Sequence, residues 1–155
     1  MSFTYTIIAA AVPLAAMVIS DFRKRNIGIA WLVLFYAITA ASAVLAHGWR
    51  TALLNTAGNI VFLALLFGFL YIYIRVRKNR FASFGKAIGL GDILFLPALA
   101  PVFGVRQFSL FLTASFIVTL VAWSILRLLG RAPSTIPLVS TVGICFIIYS
   151  LILFL

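Results

Sequence analysis

The chain has two acidic side chains, Asp21 and Asp92, and these are the residues of the sequence best suited to do chemistry. Asp21 follows the first apolar run and Asp92 precedes the fourth. When two carboxylates lie close enough to share a proton, one stays protonated while the other acts as a base. The base can take a proton from water, and the acid can donate one to a peptide carbonyl oxygen. The pair therefore has the groups that peptide hydrolysis requires.

Each carboxylate also has a structural interpretation. Asp21 could form an ion pair with Arg23, Lys24 or Arg25, which follow it closely. Asp92 could be the N-cap of a helix, since an Asp before an apolar helical run satisfies free backbone N–H groups and suits the helix dipole. Nine of the 12 basic residues lie outside the basic stretch after Asp21 and have no acidic partner in the sequence, which weakens both interpretations.

The composition indicates that water is not the main solvent of this protein. Hydrophobic residues make up 65% of the chain and charged residues 9%, whereas soluble domains carry about 25% charged residues. Apolar runs long enough to cross a hydrocarbon layer of about 30 Å recur along the chain. The pattern predicts an all-α integral membrane protein with a single domain, residues 1–155, that is a bundle of six transmembrane helices. The predicted spans are residues 3–20, 28–46, 52–74, 90–104, 107–129 and 135–155.

The first and fourth apolar runs and the segment between the third and fourth runs differ from ordinary membrane spans and loops. The first run has no Lys or Arg before Asp21, so it lacks the basic n-region of a signal peptide, and we expect it to be a retained helix. The fourth run is short, which suggests a helix that begins inside the membrane edge. The basic, glycine-containing segment from Arg75 to Gly91 has little apolar surface to bury, and we predict that it is a mobile loop.

The distribution of basic residues predicts the orientation. Ten of the 12 Lys and Arg residues lie in the first, third and fifth loops, while Arg50 and Arg106 lie in the opposite loops. The excess marks the cytoplasmic side, so both termini are expected outside, and both carboxylates at the cytoplasmic edge. The net charge of +10 then favours contact with anionic lipids of the bilayer, and we expect no nucleic-acid partner.

Three further polar or reactive residues have structural interpretations. Asn55 and Asn59 are four residues apart, hence on one helix face, where they could bond across helices or, less readily, lie near a substrate. Cys145 is the single cysteine, which excludes an intrachain disulfide and a Cys-based zinc cluster. We interpret it as a packing residue, and we expect neither a metal nor another cofactor.

Two segments resemble a known family of membrane proteases. Gly89-Leu90-Gly91-Asp92 is similar to the GxGD motif of intramembrane aspartyl proteases. The stretch from Asp21 to Ile27, an Asp followed by basic residues and Ile, resembles the first aspartate region of prepilin peptidases. Because both segments occur in the expected order, on spans one and four of six, the whole chain resembles a small type IV prepilin peptidase or preflagellin peptidase.

The resemblance implies a function and a site. Asp21 and Asp92 would be catalytic, and Gly89 and Gly91 would support the motif and let a substrate backbone come near. The substrates would be prepilin-like or pseudopilin-like precursors, cleaved after a short basic leader at the cytoplasmic face of a bacterial or archaeal cytoplasmic membrane. The paired CxxC motifs of the bifunctional members are missing from this sequence, so we do not expect N-methylation.

The sequence departs from the family pattern at three positions. Gly28 and Ile29 stand where Pro and Asn are favoured, and Leu94 stands where a Lys often occurs. These departures concern substrate contacts and the start of the second helix. An alternative function is a small transporter or channel that uses Asp21 and Asp92 in a proton or ion path, because acids within a membrane also mark such paths. A third is a structural membrane subunit.

Overall fold

The computed structural model describes residues 2–24, 28–77, 90–129 and 138–154, and these form six α-helices and no strand. The helices are α1 (Ser2–Lys24), α2 (Ile29–His47), α3 (Trp49–Arg77), α4 (Leu90–Leu99), α5 (Val105–Leu128) and α6 (Leu138–Phe154). The prediction of an all-α chain is therefore confirmed. A mobile loop was predicted from Arg75 to Gly91. Both ends of this segment are helical, and residues 78–89, including Gly89, lie outside the described residues.

A single glycine connects α2 and α3. Gly48 has a φ of 78°, a backbone conformation that glycine adopts without steric cost, and its N–H donates to the carbonyl oxygen of Val44 at 2.9 Å. The sequence predicted a longer loop here. Instead, His47 is the last residue of α2 and Trp49 is the first residue of α3.

The fourth predicted span, residues 90–104, is a short helix followed by a turn. Helix α4 has 10 residues and ends at Leu99, so it is about 15 Å long, half of a hydrocarbon layer of about 30 Å. Residues 100–103 form a buried turn. Thr39 donates to the carbonyl oxygen of Ala98 at 2.9 Å, and Asn59 donates to that of Ala100 at 2.8 Å. Polar backbone at this depth is tolerated because protein surrounds it.

The outer surface of the described helices is apolar. On α3, for example, Leu54, Phe69 and Val76 are more than two-thirds exposed. Three helical segments are long and apolar enough to cross a membrane: Ile29–His47, Trp49–Val76 and Val105–Leu128. Six complete spans were predicted, and three of the six helices in the described part of the chain are long and apolar enough to be such spans. These apolar helices indicate a membrane-embedded protein.

Phenylalanine rings fill the centre of the bundle. Phe35 of α2 packs on Phe95 of α4 and Phe146 of α6, and Phe103 stacks on Phe111 at 4.9 Å between ring centroids. Helix α1 packs on α2 and α6, while α4 packs on α2, α3 and α6. Helices α2 and α6 are therefore neighbours of both helices that carry an acidic residue.

Candidate active site

Asp21 lies in the last turn of α1 and binds the start of α6. The hydroxyl of Ser140 donates to Oδ2 of Asp21 at 2.6 Å, and the backbone N–H of Ser140 donates to the same oxygen at 3.2 Å. Asp21 is half-buried, and Ser140 is fully buried. Asp21 is thus hydrogen-bonded to a residue that lies 119 positions later in the chain, near the start of α6. The alternative partners of Asp21 are Arg23, Lys24 and Arg25. The structure describes the backbone of the first two but not their side chains, and Arg25 lies outside the described residues.

A glycine lets α1 and α6 approach closely at this point. A Cβ atom on Gly143 would lie 2.9 Å from Cγ2 of Val18 and 3.2 Å from Cδ1 of Leu14. The first distance is shorter than carbon atoms pack, so the Val18 side chain or the two helices would have to shift to admit a larger residue. Gly143 is one turn after Ser140, and Val18 is nearly one turn before Asp21. The close packing at Gly143 therefore lies about one turn from the hydrogen bond between the carboxylate and the serine.

Asp92 lies in the first turn of α4 and is half-buried. The helix begins at Leu90, so Asp92 is inside the helix. The structural interpretation required Asp92 to occupy the N-cap position, and it does not. Gly91 is the second residue of the same helix rather than part of a loop. Carboxylates in the first turn of a helix are stabilised by the free N–H groups and by the helix dipole.

Ring contacts relate α4 and α6 to the same residue of α2. Phe35 contacts Phe95 of α4 at 5.8 Å and Phe146 of α6 at 6.0 Å between centroids. Asp92 precedes Phe95 by three residues, and Ser140 precedes Phe146 by six, so both lie between these rings and the start of their helices.

The structure therefore brings both carboxylates to the same end of the bundle. Asp21 is there because α1 ends beside the start of α6, and Asp92 is there because α4 begins at that end. The described hydrogen bonds of Asp21 go to Ser140. Helices α2 and α6 are neighbours of both α1 and α4. This end of the bundle holds two half-buried acids and a buried hydroxyl, and such groups can support acid and base chemistry.

The other residues singled out in the sequence have packing roles where they are described. Asn59 is fully buried and bonds to the turn after α4, which confirms the structural interpretation for this residue. Cys145 is partly buried against the hydrophobic core, as a packing residue should be. No three His, Cys, Asp or Glu side chains are grouped as metal ligands in the described part of the chain.

Ser140 is the residue that sequence reasoning missed. Serine is common in apolar helices, where its hydroxyl usually bonds within its own helix. The nearby Gly143 is the only local signal, since a glycine one turn away permits close contact with another helix.

Comparison with known proteins finds no matching family model, no match among curated proteins and no match among solved structures. Inferences about function therefore depend on the residues and their arrangement.

Proposed function

We propose that this protein is an intramembrane aspartyl endopeptidase that removes the short basic leader from prepilin-like precursors at the cytoplasmic face of the membrane. One observation carries the proposal. The only two acidic residues of the chain, Asp21 and Asp92, lie at the same end of the bundle, on helices that share α2 and α6 as neighbours. The resemblance of the two surrounding sequence segments to prepilin peptidases adds the substrate class.

The chemistry needs one ionised and one protonated carboxylate. The ionised group takes a proton from water, and the water oxygen attacks the carbonyl carbon of the scissile peptide bond while the protonated group donates to the carbonyl oxygen. The tetrahedral intermediate then collapses and the C–N bond breaks. The carboxyl group that took the proton from water donates it to the leaving amine, and the other carboxylate takes a proton back from the former carbonyl oxygen, which restores both groups. Because the two acids act as one unit, we assign no fixed proton to either of them.

The position of the acids suits this reaction. A carboxylate in the middle of a bilayer costs about 2.5–3.5 kcal/mol on insertion scales, and peptide hydrolysis also consumes water. At an end of the bundle, a carboxylate avoids the cost of the bilayer centre and is closer to water. Asp21 and Asp92 are half-buried, so each is partly packed against protein and partly accessible from outside the bundle.

The orientation and the location belong to the proposal. The bias of Lys and Arg toward three loops assigns the acidic end to the cytoplasm, and the partners are then the lipid bilayer and a precursor with a single apolar helix. The proposed location is the cytoplasmic membrane of a bacterium or an archaeon.

The test is cleavage in reconstituted membranes. The purified full-length protein is placed in liposomes with a precursor that has a basic leader followed by an apolar helix, and the product is identified by N-terminal sequencing. We expect one new N-terminus at the end of the leader, and no product with the Asp21→Asn/Asp92→Asn double variant. A precursor with its leader lysines and arginines replaced by glutamine serves as the matched substrate control and should be cleaved more slowly.

The same liposomes separate the peptidase from a transporter. A pH-sensitive dye inside the vesicles reports proton flux. Flux that depends on Asp21 and Asp92, together with an intact precursor, would reject the peptidase and favour the transporter.

A further inference from the structure

Ser140 connects the last helix to the first carboxylate. Its hydroxyl has one proton and two acceptors nearby: Oδ2 of Asp21 at 2.6 Å and the carbonyl oxygen of Val18 at 3.5 Å. The shorter distance is typical of an O–H···O hydrogen bond, and the longer one is outside the usual range, so the proton belongs to the bond with Asp21. Ser140 is fully buried, so water does not compete for the hydroxyl.

The backbone of Ser140 adds a second donor. Ser140 is the third residue of α6, and the N–H groups of the first four residues of a helix have no acceptor within that helix. Oδ2 of Asp21 accepts this N–H at 3.2 Å. The terminal torsion of an aspartate side chain is otherwise broad, and two donors at one oxygen restrict its rotation.

We propose that Ser140 is a positioning residue that holds Oδ2 of Asp21, so that Oδ1 is the oxygen that exchanges a proton with the attacking water. The inference rests on the proposed peptidase function, because it assigns Ser140 a role in that reaction. Oδ1 takes part in neither of the two hydrogen bonds to Ser140. Ser140 itself does not contact the substrate in this scheme.

The start of α6 is fixed from two sides, which makes Ser140 a rigid support. On the α1 side, Gly143 fits against Val18 without room for a Cβ. On the α5 side, the hydroxyl oxygens of Thr119 and Thr141 lie 2.9 Å apart, within hydrogen-bond distance. A group held in this way can orient a carboxylate, since catalysis depends on geometry to a fraction of an ångström and a displacement of 1 Å can cost about 100-fold in rate.

The kinetic test compares two serines of the same helix. Ser140→Ala should lower kcat by about 10- to 100-fold with little change in KM, because the carboxylate is misplaced while substrate binding is not affected. Ser140→Thr keeps the hydroxyl and should recover most of the rate. If threonine does not fit, Ser140→Cys keeps the size with a weaker donor and should give an intermediate rate. Ser150→Ala is the control, since the Ser150 hydroxyl donates to the carbonyl oxygen of Ile147 in its own helix, and its kcat should stay within about twofold.

A second readout does not need activity. The chain has two acidic residues, both Asp, so protein made by cell-free synthesis with ¹³Cγ-aspartate gives two carboxyl signals, and Asp92→Asn identifies that of Asp21. Ser140→Ala should move the Asp21 signal and leave the Asp92 signal in place. An unmoved Asp21 signal, or wild-type kcat in folded Ser140→Ala, overturns the positioning role. If the wild type cleaves nothing while the Asp21 signal still moves, the contact is real but the proposed function fails, and the catalytic role of Ser140 fails with it.

Discussion

The side-chain amide of Asn59 donates a hydrogen bond of 2.7 Å to the carbonyl oxygen of Phe103, across 44 residues of the chain. A second bond from the same nitrogen reaches the carbonyl oxygen of Ala100 at 2.8 Å. These carbonyls follow the last residue of α4, where the backbone has left the helix and Asn59 is fully buried. One side chain on α3 therefore donates to two carbonyl groups of the buried turn.

Replacing Asn59 with Ala should lower the free energy of unfolding by about 1–2 kcal/mol, because two buried carbonyl groups lose their donor. The measurement is denaturant unfolding in detergent. Thr56→Val is the control on the same helix, since its hydroxyl bonds to Ala52 one turn earlier, and its effect should be within about 0.5 kcal/mol. Equal losses in the two variants would show that the turn does not depend on Asn59.

The end of α4 and the turn that follows it could not be predicted from the sequence. High hydropathy predicts a membrane span from residue 90 to 104, whereas the structure has a helix of 10 residues, Leu90–Leu99, followed by a turn. The turn that ends α4 is itself apolar, with the residues Ala100, Pro101, Val102 and Phe103, so hydropathy does not change where the helix ends. The donors for the turn come from Thr39 and Asn59, on other helices, and pairings of this kind have no signature in a single sequence.

The candidate site was predictable for a different reason. Asp21 and Asp92 stand out because the chain has no other acids, and the alternation of apolar runs already assigns them to the same side of a membrane. Ser140 could not be found in this way, since serine is an ordinary residue and its contact with Asp21 depends on how closely α1 packs on α6.

Gly143 should be intolerant of a side chain. Gly143→Ala places a Cβ 2.9 Å from Cγ2 of Val18, so the Val18 side chain or the two helices must shift, and we expect a loss of about 1–3 kcal/mol of stability together with a lower rate of cleavage. Gly68→Ala is the matched control, since a Cβ there meets nothing within 4 Å and alanine favours the helix by about 1 kcal/mol. Thermal unfolding of both variants decides the point, and a Gly143→Ala protein as stable as Gly68→Ala would contradict the close contact.

Asp21→Asn and Asp92→Asn should each lower the cleavage rate by at least about 100-fold while the protein stays folded, since an amide keeps the shape of the side chain but cannot act as acid or base. An asparagine at position 21 still offers an oxygen to Ser140, so the link between α1 and α6 is retained. Cys145→Ala, at a packing position on α6, should keep the wild-type rate. Substantial turnover by either Asn variant would exclude the two-aspartate mechanism.

The orientation of the chain can be measured with reporter fusions. Reporters placed after residues 25, 80 and 131 should give a cytoplasmic signal, and those near residues 48 and 106 an external one, because ten of the 12 basic residues lie in the first, third and fifth loops. An external signal at residue 80 would reverse the orientation and move the proposed site to the other face.

The last prediction concerns the two glycines before Asp92. Gly91 lies in the first turn of α4, so Gly91→Ala should preserve or raise the stability of that helix, by up to about 1 kcal/mol. If a substrate backbone must come close to Asp92, the added methyl group blocks it, and the Gly89→Ala/Gly91→Ala double variant should lose most of its cleavage without losing folded protein. Gly68→Ala, on the exposed side of α3, is again the control and should cleave at the wild-type rate. Reduced activity with unchanged stability separates close approach of the substrate from damage to the fold. Wild-type rates in the double variant would exclude a role for this segment in substrate approach, even if both aspartates proved essential.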